Sequence, residues 1–487
     1  MAYKSLADFL EELLAVGELV RVSAEVDPHV EIAEITRRVA AEGGPALLFD
    51  RVQGQSTAVV TNLLGTQGRA CRAVGVECLD EIAPRIESLV AQHTPQNWFD
   101  RLKMSPEESG AEKFRPKPTK TGVCQQVVHL GRDVNIAAFP LLTAWPAESG
   151  PAITGGILVT ADRQTHTRAA TIAPMVACDE SHLAVADAGD SPFARHWADY
   201  QAAGERMPAA VLLGGDPAAT VAATVPLPAE VDTYHMAGLL RGKPLDVVKC
   251  RTHEVEVPAE VDLVFEGYFD PEVPPTSVTV AAPGASHYRE PSPAPVFHVA
   301  AITHRSQPIF PAIVDGGLRG EAGVLAAARE RMLLPALQAA APDVVDVHLP
   351  PLGGLERFAL VSFRKRYPYH ARQVAAALWG TNAVKFVRYL ILLDDDANVR
   401  DLPRVLERVG ANAAPERDLF ALDGPAGPAD LADAPGSPGR RLAIDATAKL
   451  DAERPTASPP VLDVGEETRR LVASRWGEYG LKTPGGL

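Results

Sequence analysis

Several groups of residues in the sequence have chemistry that could serve a catalyst. The run Asp394-Asp395-Asp396 offers the carboxylate oxygens that Mg²⁺ prefers. Because this run ends an apolar segment and precedes a predicted helix with Pro403 in its first turn, we favour hydrogen bonding within a loop, with Asp401 as the helix cap. Gly214-Gly215 also follows an apolar segment, but neither of the usual phosphate-loop glycine spacings is present, so no phosphate loop is predicted.

Candidate acids and bases are scattered along the chain. A proline-rich loop is preceded by Asp270 and Glu272 and followed by His287, and we expect any substitute acid there first. His182 and His235 could titrate near neutral pH, although an ordinary, partly exposed histidine is the favoured interpretation of each. The order of the Ser, His, Asp and Cys residues defines no nucleophilic set.

The composition excludes some classes of function. The 487 residues carry a formal net charge of −15, and the sequence pI is about 5.4, which argues against nucleic-acid or anionic-membrane partners. No apolar run approaches the roughly 18 residues of a membrane span, and we expect a cytoplasmic protein. The five cysteines form no CxxC pair, which favours reduced thiols over disulfides or a zinc site.

The stretch Ala209–Cys250 contains the clearest order of elements. Its apolar start, Ala209–Leu213, predicts a buried strand, and Ala218–Ala223 predicts a short helix after the glycine turn. Tyr234–Arg241 predicts a second helix that ends at Gly242, and Asp246–Cys250 predicts a further strand. Around this stretch, many short apolar runs with Gly and Pro turns indicate a barrel or sandwich, while helices and strands alternate after Gly320.

The sequence of this stretch resembles that of the UbiD family of carboxy-lyases. The matching phrases are GDPA, the Pro-x-Pro turn at Pro226, AGLLRGKP and VVKC. Further phrases occur in family order and cover nearly the whole chain: Gly43–Phe49, Asn62–Thr66, Thr143–Pro146, Asp394–Asn398 and Ile444–Thr447.

The resemblance implies a mixed fold of α/β and β parts. An N-terminal α/β domain and linker would span residues 1–121, a central split β-barrel of flavin-reductase type 122–310, and a C-terminal α/β oligomerisation domain 311–487. The terminal helix of the last domain, Glu466–Trp476, would dock on a neighbouring subunit. The implied assembly is a homodimer or larger homo-oligomer, and the implied cofactor is prenylated FMN, contacted by Pro226 and by Lys385.

Family members use an arginine between two carboxylates, and a metal ion that holds the flavin phosphate. On the resemblance, the arginine position reads Pro174, and the two acid positions read Val278 and Pro283. The metal-ligand positions are read at three residues: Ala169, Asp190 and Thr233. None of these sets could do the family's work, so we expect neither a Mn²⁺ or K⁺ site nor an acid–guanidinium–acid cluster. Arg168 is on the opposite strand face from Ala169, and a surface or interface position is favoured over a catalytic one.

Three functions are left open. The first is a divergent decarboxylase of an aromatic or α,β-unsaturated carboxylic acid that uses prenylated FMN. The second is a non-catalytic subunit in a hetero-oligomer with an active relative, and the third is altered or cofactor-independent chemistry in the same pocket.

Overall fold

The computed structural model describes residues 2–85, 112–187, 191–225, 227, 229, 231–281, 287–289, 291–314, 320–352, 354, 357–427, 438–453 and 464–480. The chain divides into two compact units, Met1–Thr447 and Ala448–Leu487.

The first unit begins with a small α/β part. Its helices and strands are α1 Leu6–Ala15, β1 Leu19–Val26, α2 Glu31–Ala41, β2 Ala46–Val52, β3 Ala58–Thr61 and α3 Gln67–Val74. The strands lie in the order β1, β2, β3, and a later strand, Ile309–Ala312, pairs in parallel with β3. The boundary predicted from the sequence between the central and C-terminal domains, at residue 310, therefore falls inside a strand that extends the N-terminal sheet.

Arg69 holds this part together from its centre. The side chain is fully buried, and it donates to the carbonyl oxygens of Leu63, Asn62 and Gly44 at 3.0–3.1 Å. Its charge is paired with Glu18, whose carboxylate lies 2.7 Å away. One guanidinium thus contacts three backbone acceptors; the carbonyls of Gly44 and Asn62 also accept from Asn62 Nδ2 and from the N–H of Gly65.

The central part consists mainly of strands. They are β4 Lys117–Pro118, β5 Val127–Leu130, β6 Ala152–Ile153, β7 Ile157–Ala161, β8 Arg168–Ile172, β9 Met175–Ala177, β10 His182–Val185, β11 Met207–Leu213, β12 Asp246–Lys249, β13 Glu256–Pro258, β14 Leu263–Phe269, β15 Thr276–Val278, β16 Ser292–Ala294, β17 Val296–His304 and β18 Ile309–Ala312. The helices are α4 Pro192–Ala203, α5 Pro217–Ala222 and α6 Thr233–Arg241.

The main sheet of the described residues curls into a half-barrel. Its order is β6, β9, β10, β17, β14, β11, β7, β8, and β5 pairs with β17. One face buries Val159, Ala170 and Leu212 against apolar residues of α5 and α6. The other face packs Leu158 and Phe265 in a second cluster, with Phe193 and Trp197 of α4. The predicted mixed fold with a split-barrel centre is confirmed.

The C-terminal part of the first unit is again α/β. Its elements are α7 Glu321–Ala340, β19 Val344–His348, β20 Phe358–Phe363, α8 His370–Trp379, β21 Tyr389–Asp394, α9 Leu402–Asn412, α10 Pro415–Asp418, β22 Leu419–Pro425 and β23 Pro438–Asp445. The strand order is β19, β20, β21, β23, β22, and β20, β21 and β23 run in parallel.

The second unit contains α11 Glu466–Ser474, which is shorter than the predicted Glu466–Trp476. Leu471 on this helix is exposed, and docking on a neighbouring subunit stays a prediction. None of the helices that the structure describes, in either unit, is long and apolar enough to cross a membrane.

We expect the buried arginine of the N-terminal part to dominate its stability. Replacing Arg69 with Ala removes four side-chain hydrogen bonds, three of them to backbone carbonyls, from a fully buried position, so the free energy of unfolding should fall by about 3–5 kcal/mol. The matched control is Arg21→Ala, which breaks an exposed pair with Asp50 and should cost at most about 1 kcal/mol. Chemical denaturation of both variants measures the difference, and equal losses would contradict this role of Arg69.

Candidate functional site

The candidate site is built along β8, where the strand meets the N-terminus of α6. The backbone N–H of Ala170 donates to the hydroxyl of Thr233, the first residue of α6, at 3.1 Å. Ala170 is buried against α5 and α6. Since side chains alternate along a strand, Arg168 shares this face with Ala170, and Ala169 lies on the other face. Arg168, and not Ala169, is thus the residue of this strand that faces Thr233.

Arg168 lies between two carboxylates. Its Nε and Nη2 atoms are 2.8 and 2.7 Å from Oδ2 of Asp232, and Nη1 donates to Oε2 of Glu256 in a short contact. All three side chains are mostly buried, with exposed fractions of 17, 21 and 25%. Burial opposes the charge of Arg168, but the two carboxylates outweigh it and raise its pKa. The expectation that the site keeps no acid–guanidinium–acid cluster is wrong at this end of β8.

The cluster is fixed by the elements around it. Asp232 caps α6 through Oδ1, which accepts the N–H of Tyr234 at 2.8 Å. The Tyr234 hydroxyl donates to the backbone carbonyl of Glu256, and its ring lies under the Arg168 guanidinium at 5.1 Å. Three elements, β8, α6 and β13, therefore meet at one guanidinium.

The described residues do not fit a divalent ion at this place. The carboxylates that could ligate one, Asp232 and Glu256, already hold a cation, and the hydroxyl of Thr233 already accepts from Ala170. Among the described residues, no group of three or more His, Cys, Asp or Glu side chains could hold a metal ion. Asp190 lies outside the described residues.

Beyond the end of β8 at Ile172, Pro174 lies in the two-residue connection to β9. Ile153 of β6 pairs with Met175, and Thr154 and Pro174 are the residues next to this pair. Among the described residues, the buried Thr154 hydroxyl has no hydrogen-bond partner. A buried polar atom of this kind is costly unless a ligand or water satisfies it.

A guanidinium lies close to Pro174. The carbonyl of Pro174 accepts from the N–H of Ala186 at 2.9 Å, and the carbonyl of Ala186 accepts from Nη1 of Arg289 at 3.1 Å. Nη2 of Arg289 donates to the carbonyl of Asp187 at 3.1 Å. Burial lowers the pKa of Arg289, while the negative charge of Asp187 acts in the opposite direction. The two carbonyl contacts use two of the five N–H donors of the guanidinium.

Val278, read as an acid position, lies in an apolar cluster instead. Its members are buried residues of β6, β9, β10, β15 and β16 and their flanks: Ala152, Val176, Ala184, Ala186, Val278, Val280 and Ala294. An ionised carboxylate at Val278 would be buried without a partner there, which costs several kcal/mol. Pro283, the second acid position, lies outside the described residues.

One carboxylate approaches this segment from another loop. Oε1 of Glu148 accepts the N–H of Ala281 at 3.3 Å, and Oε2 accepts the N–H groups of Ala144 and Trp145 at 2.9 and 3.0 Å. Because its oxygens are occupied by backbone donors, we assign Glu148 a positioning role for the hairpin that carries Arg289.

The proposed substitute acids lie on different elements, with His235 on α6 two residues after Thr233 and His287 two residues before Arg289. Asp270 accepts from Arg206 at 2.7 Å and from the N–H of Glu272 at 3.0 Å, and these contacts lower its pKa. Glu272 and His287 are exposed, and His235 is half-buried on α6. The structure thus uses Asp270 in a turn and an ion pair.

Two residues were predicted to contact the cofactor. Lys385 lies in the turn before β21, with Nζ 3.3 Å from Oδ1 of Asn382. Pro226 lies outside the described residues.

The aspartate run at the end of β21 is engaged in ion pairs. Arg408 contacts Asp394 at 3.5 Å and Asp396 at 2.8 Å, while Arg364 is 3.7 Å from Asp395. Asp401 caps α9, as predicted. These contacts support the loop interpretation over a magnesium site.

A buried carboxyl that the sequence did not single out lies beneath the half-barrel. Glu321, at the start of α7, accepts the N–H of Leu64 through Oε1 at 2.9 Å, while Oε2 is buried without a hydrogen-bond partner among the residues that the structure describes. It lines a cavity of about 20 Å³ beside Gly155 and Gly214, room for about one water molecule. Burial raises the pKa of Glu321 to about 7.

Comparison with known proteins places this architecture. Models of the 3-octaprenyl-4-hydroxybenzoate carboxy-lyase family match the N-terminal domain at residues 10–86, the Rift-related domain at 115–318 and the C-terminal domain at 323–446. The chain belongs to the UbiD family. Uncharacterised proteins of Aquifex aeolicus and Archaeoglobus fulgidus are 34 and 35% identical over 99 and 98% of this chain, and over 99% of each relative.

Solved structures share the fold over nearly the full length. The vanillic acid decarboxylase of Sedimentibacter hydroxybenzoicus in its closed form has a TM-score of 0.86 and 24% identity, over 99% of this chain and all of that one. The UbiD-class enzyme HmfF of Pelotomaculum thermopropionicum, in complex with FMN, has a TM-score of 0.76 and 25% identity, over 96 and 99%. This UbiD protein therefore has the decarboxylase fold and all three domains of the family.

Sequence reasoning missed Arg289, Glu148 and Glu321. Arg289 lies two residues after His287, in a proline-rich segment whose sequence has no periodic pattern that would indicate a buried arginine. Glu148 and Glu321 reach their contacts across more than 100 residues of sequence, and no local pattern reports such contacts.

We expect Glu321 to make the stability of this UbiD protein depend on pH. Its pKa is about 7 in the folded state and about 4.3 unfolded, so the folded state binds more protons between these values. The free energy of unfolding should fall by about 3–4 kcal/mol as pH rises through this window, and the loss should persist above it. Glu321→Gln should remove this slope. Urea unfolding from pH 5 to 8 measures it, with the exposed Glu272→Gln as control, and parallel profiles for wild type and Glu321→Gln would refute the assignment.

Proposed function

We propose that the protein is a flavin-dependent decarboxylase of an aromatic or α,β-unsaturated carboxylic acid in which Arg289 binds the substrate carboxylate. The observation that carries the proposal is the half-buried Arg289 guanidinium near Pro174, which the backbone carbonyls of Ala186 and Asp187 hold in place. A guanidinium with spare N–H groups matches the planar, bidentate geometry of a carboxylate.

Family relatives support the class of reaction. Solved neighbours are described as decarboxylases of vanillic acid and of 3,4-dihydroxybenzoic acid, and HmfF is described with FMN and, in an evolved dimeric form, with prFMN. From these names we infer an aromatic or conjugated acid as substrate and an oligomer as the working form.

The residues near Pro174 fit a bound flavin. The unpartnered hydroxyl of Thr154 beside Pro174 is where a polar ring edge would find a hydrogen bond. When bound, the flavin would supply the electron sink that a carbanion-like centre needs on loss of CO₂. The protein's own part is to orient the acid through Arg289 and to exclude water with the apolar residues around Val278.

Arg289 should affect substrate binding more than protein folding. The protein is produced beside a flavin prenyltransferase, and turnover is measured on a panel of aromatic and α,β-unsaturated acids. Losing a charge-assisted hydrogen bond costs about 1.5–3 kcal/mol, so Arg289→Gln should lower kcat/KM by about 10- to 100-fold, mainly through KM. Arg289→Lys should recover part of the loss. Arg206→Gln, which breaks the exposed pair with Asp270, is the control and should leave kcat/KM unchanged. Flavin-loaded protein without turnover on the whole panel would count against the proposal.

A second function is favoured by the apolar cluster around Val278. Where family members need an acid, this chain has a closed set of Val and Ala side chains, which suits a subunit that supports an active relative. This function predicts that the tagged protein, purified from its own cells, carries a stoichiometric UbiD-family partner and no flavin of its own. Purification of a flavin-loaded homo-oligomer would rule it out.

A further inference from the structure

The cluster of Arg168, Asp232 and Glu256 determines the charge at the start of β8. Asp232 and Glu256 place two carboxylates on one guanidinium, in a mostly buried position. Two buried carboxylates cannot be left without a counter-charge, because each would lose several kcal/mol of solvation. In proteins, either a basic side chain or a metal ion supplies that charge.

We propose that the guanidinium of Arg168 is a built-in substitute for a divalent cation, so that this UbiD protein holds its site together without metal. Arg168 comes from β8, Asp232 from the cap of α6 and Glu256 from β13, so the guanidinium joins the two carboxylates that an ion would bridge and ties them to β8. Because it is covalently attached, it cannot be chelated or exchanged. The inference rests on the proposed function only in placing the functional site along β8.

The donor chemistry gives the inference a positive test. Carboxylate oxygens are ligands that Mn²⁺ and Mg²⁺ prefer, and Arg168 is the group that keeps Asp232 and Glu256 from serving as such ligands. Removing the guanidinium without removing the acids should therefore convert the cluster into a metal site.

The experiment is a Mn²⁺ titration followed by the electron paramagnetic resonance signal of the free ion, with the full chain. The wild type should bind no Mn²⁺ at this site, whereas Arg168→Ala should bind one ion per chain. Arg168→Ala combined with Asp232→Asn should lose that ion, and Arg168→Lys, which keeps a positive charge, should bind none. Arg206→Ala leaves the single carboxylate Asp270 and is the matched control, expected to bind none.

Thermal unfolding with and without Mn²⁺ gives a second readout. At about 100 times the dissociation constant, bound Mn²⁺ stabilises a protein by about 2.7 kcal/mol, so Arg168→Ala should gain melting temperature or recover folding, and the wild type should not. Stoichiometric Mn²⁺ in the wild type that Asp232→Asn removes would overturn the proposal. So would an Arg168→Ala protein that neither binds Mn²⁺ nor is stabilised by it. Neither result depends on turnover, so a failure of the proposed decarboxylation can be distinguished from a failure of this inference.

Discussion

The position of β8 against α6 is the constraint on which the candidate site depends. The hydrogen bond from Ala170 to Thr233 and the ion pair of Arg168 with Asp232 join the same two elements within three residues of each chain segment. Together they determine which side chains of the strand face the helix. A shift by one residue would exchange the two faces and place Arg168 against α4, away from both of its carboxylates.

This dependence explains how far the sequence could lead. The order strand, helix, helix, strand in Ala209–Cys250 follows from apolar runs and glycine turns, and the structure has Met207–Leu213, Pro217–Ala222, Thr233–Arg241 and Asp246–Lys249 in the same order. The face of β8 could not be predicted in the same way. Its sequence, Arg-Ala-Ala-Thr-Ile, has no alternation of polar and apolar residues, so only contacts with α6 and β13 reveal its orientation.

The two ends of β8 solve the problem of buried charge differently. At the Arg168 end, the charges are kept and paired, and the residual charge of the cluster is a single negative one. Near Pro174, Val278 stands where the family has an acid, and it lies in an apolar cluster. The guanidinium of Arg289 is held there by carbonyl dipoles. Carbonyls orient a guanidinium without neutralising it, and the charge of one carboxylate, Asp187, acts on Arg289, whereas Arg168 is paired with two carboxylates.

This difference in net charge determines which part of the site would attract an anion. A cluster with net negative charge repels an anion, and the repulsion is strong because the groups are mostly buried and poorly screened. On the proposed function, an anionic substrate is therefore repelled at the Asp232 end and attracted to Arg289. The apolar cluster around Val278 would strengthen that attraction, because a charge–charge contact is worth more where water is excluded. The apolar cluster and the paired Arg168 would thus act together, since both favour an anion at Arg289, on the segment between β15 and β16.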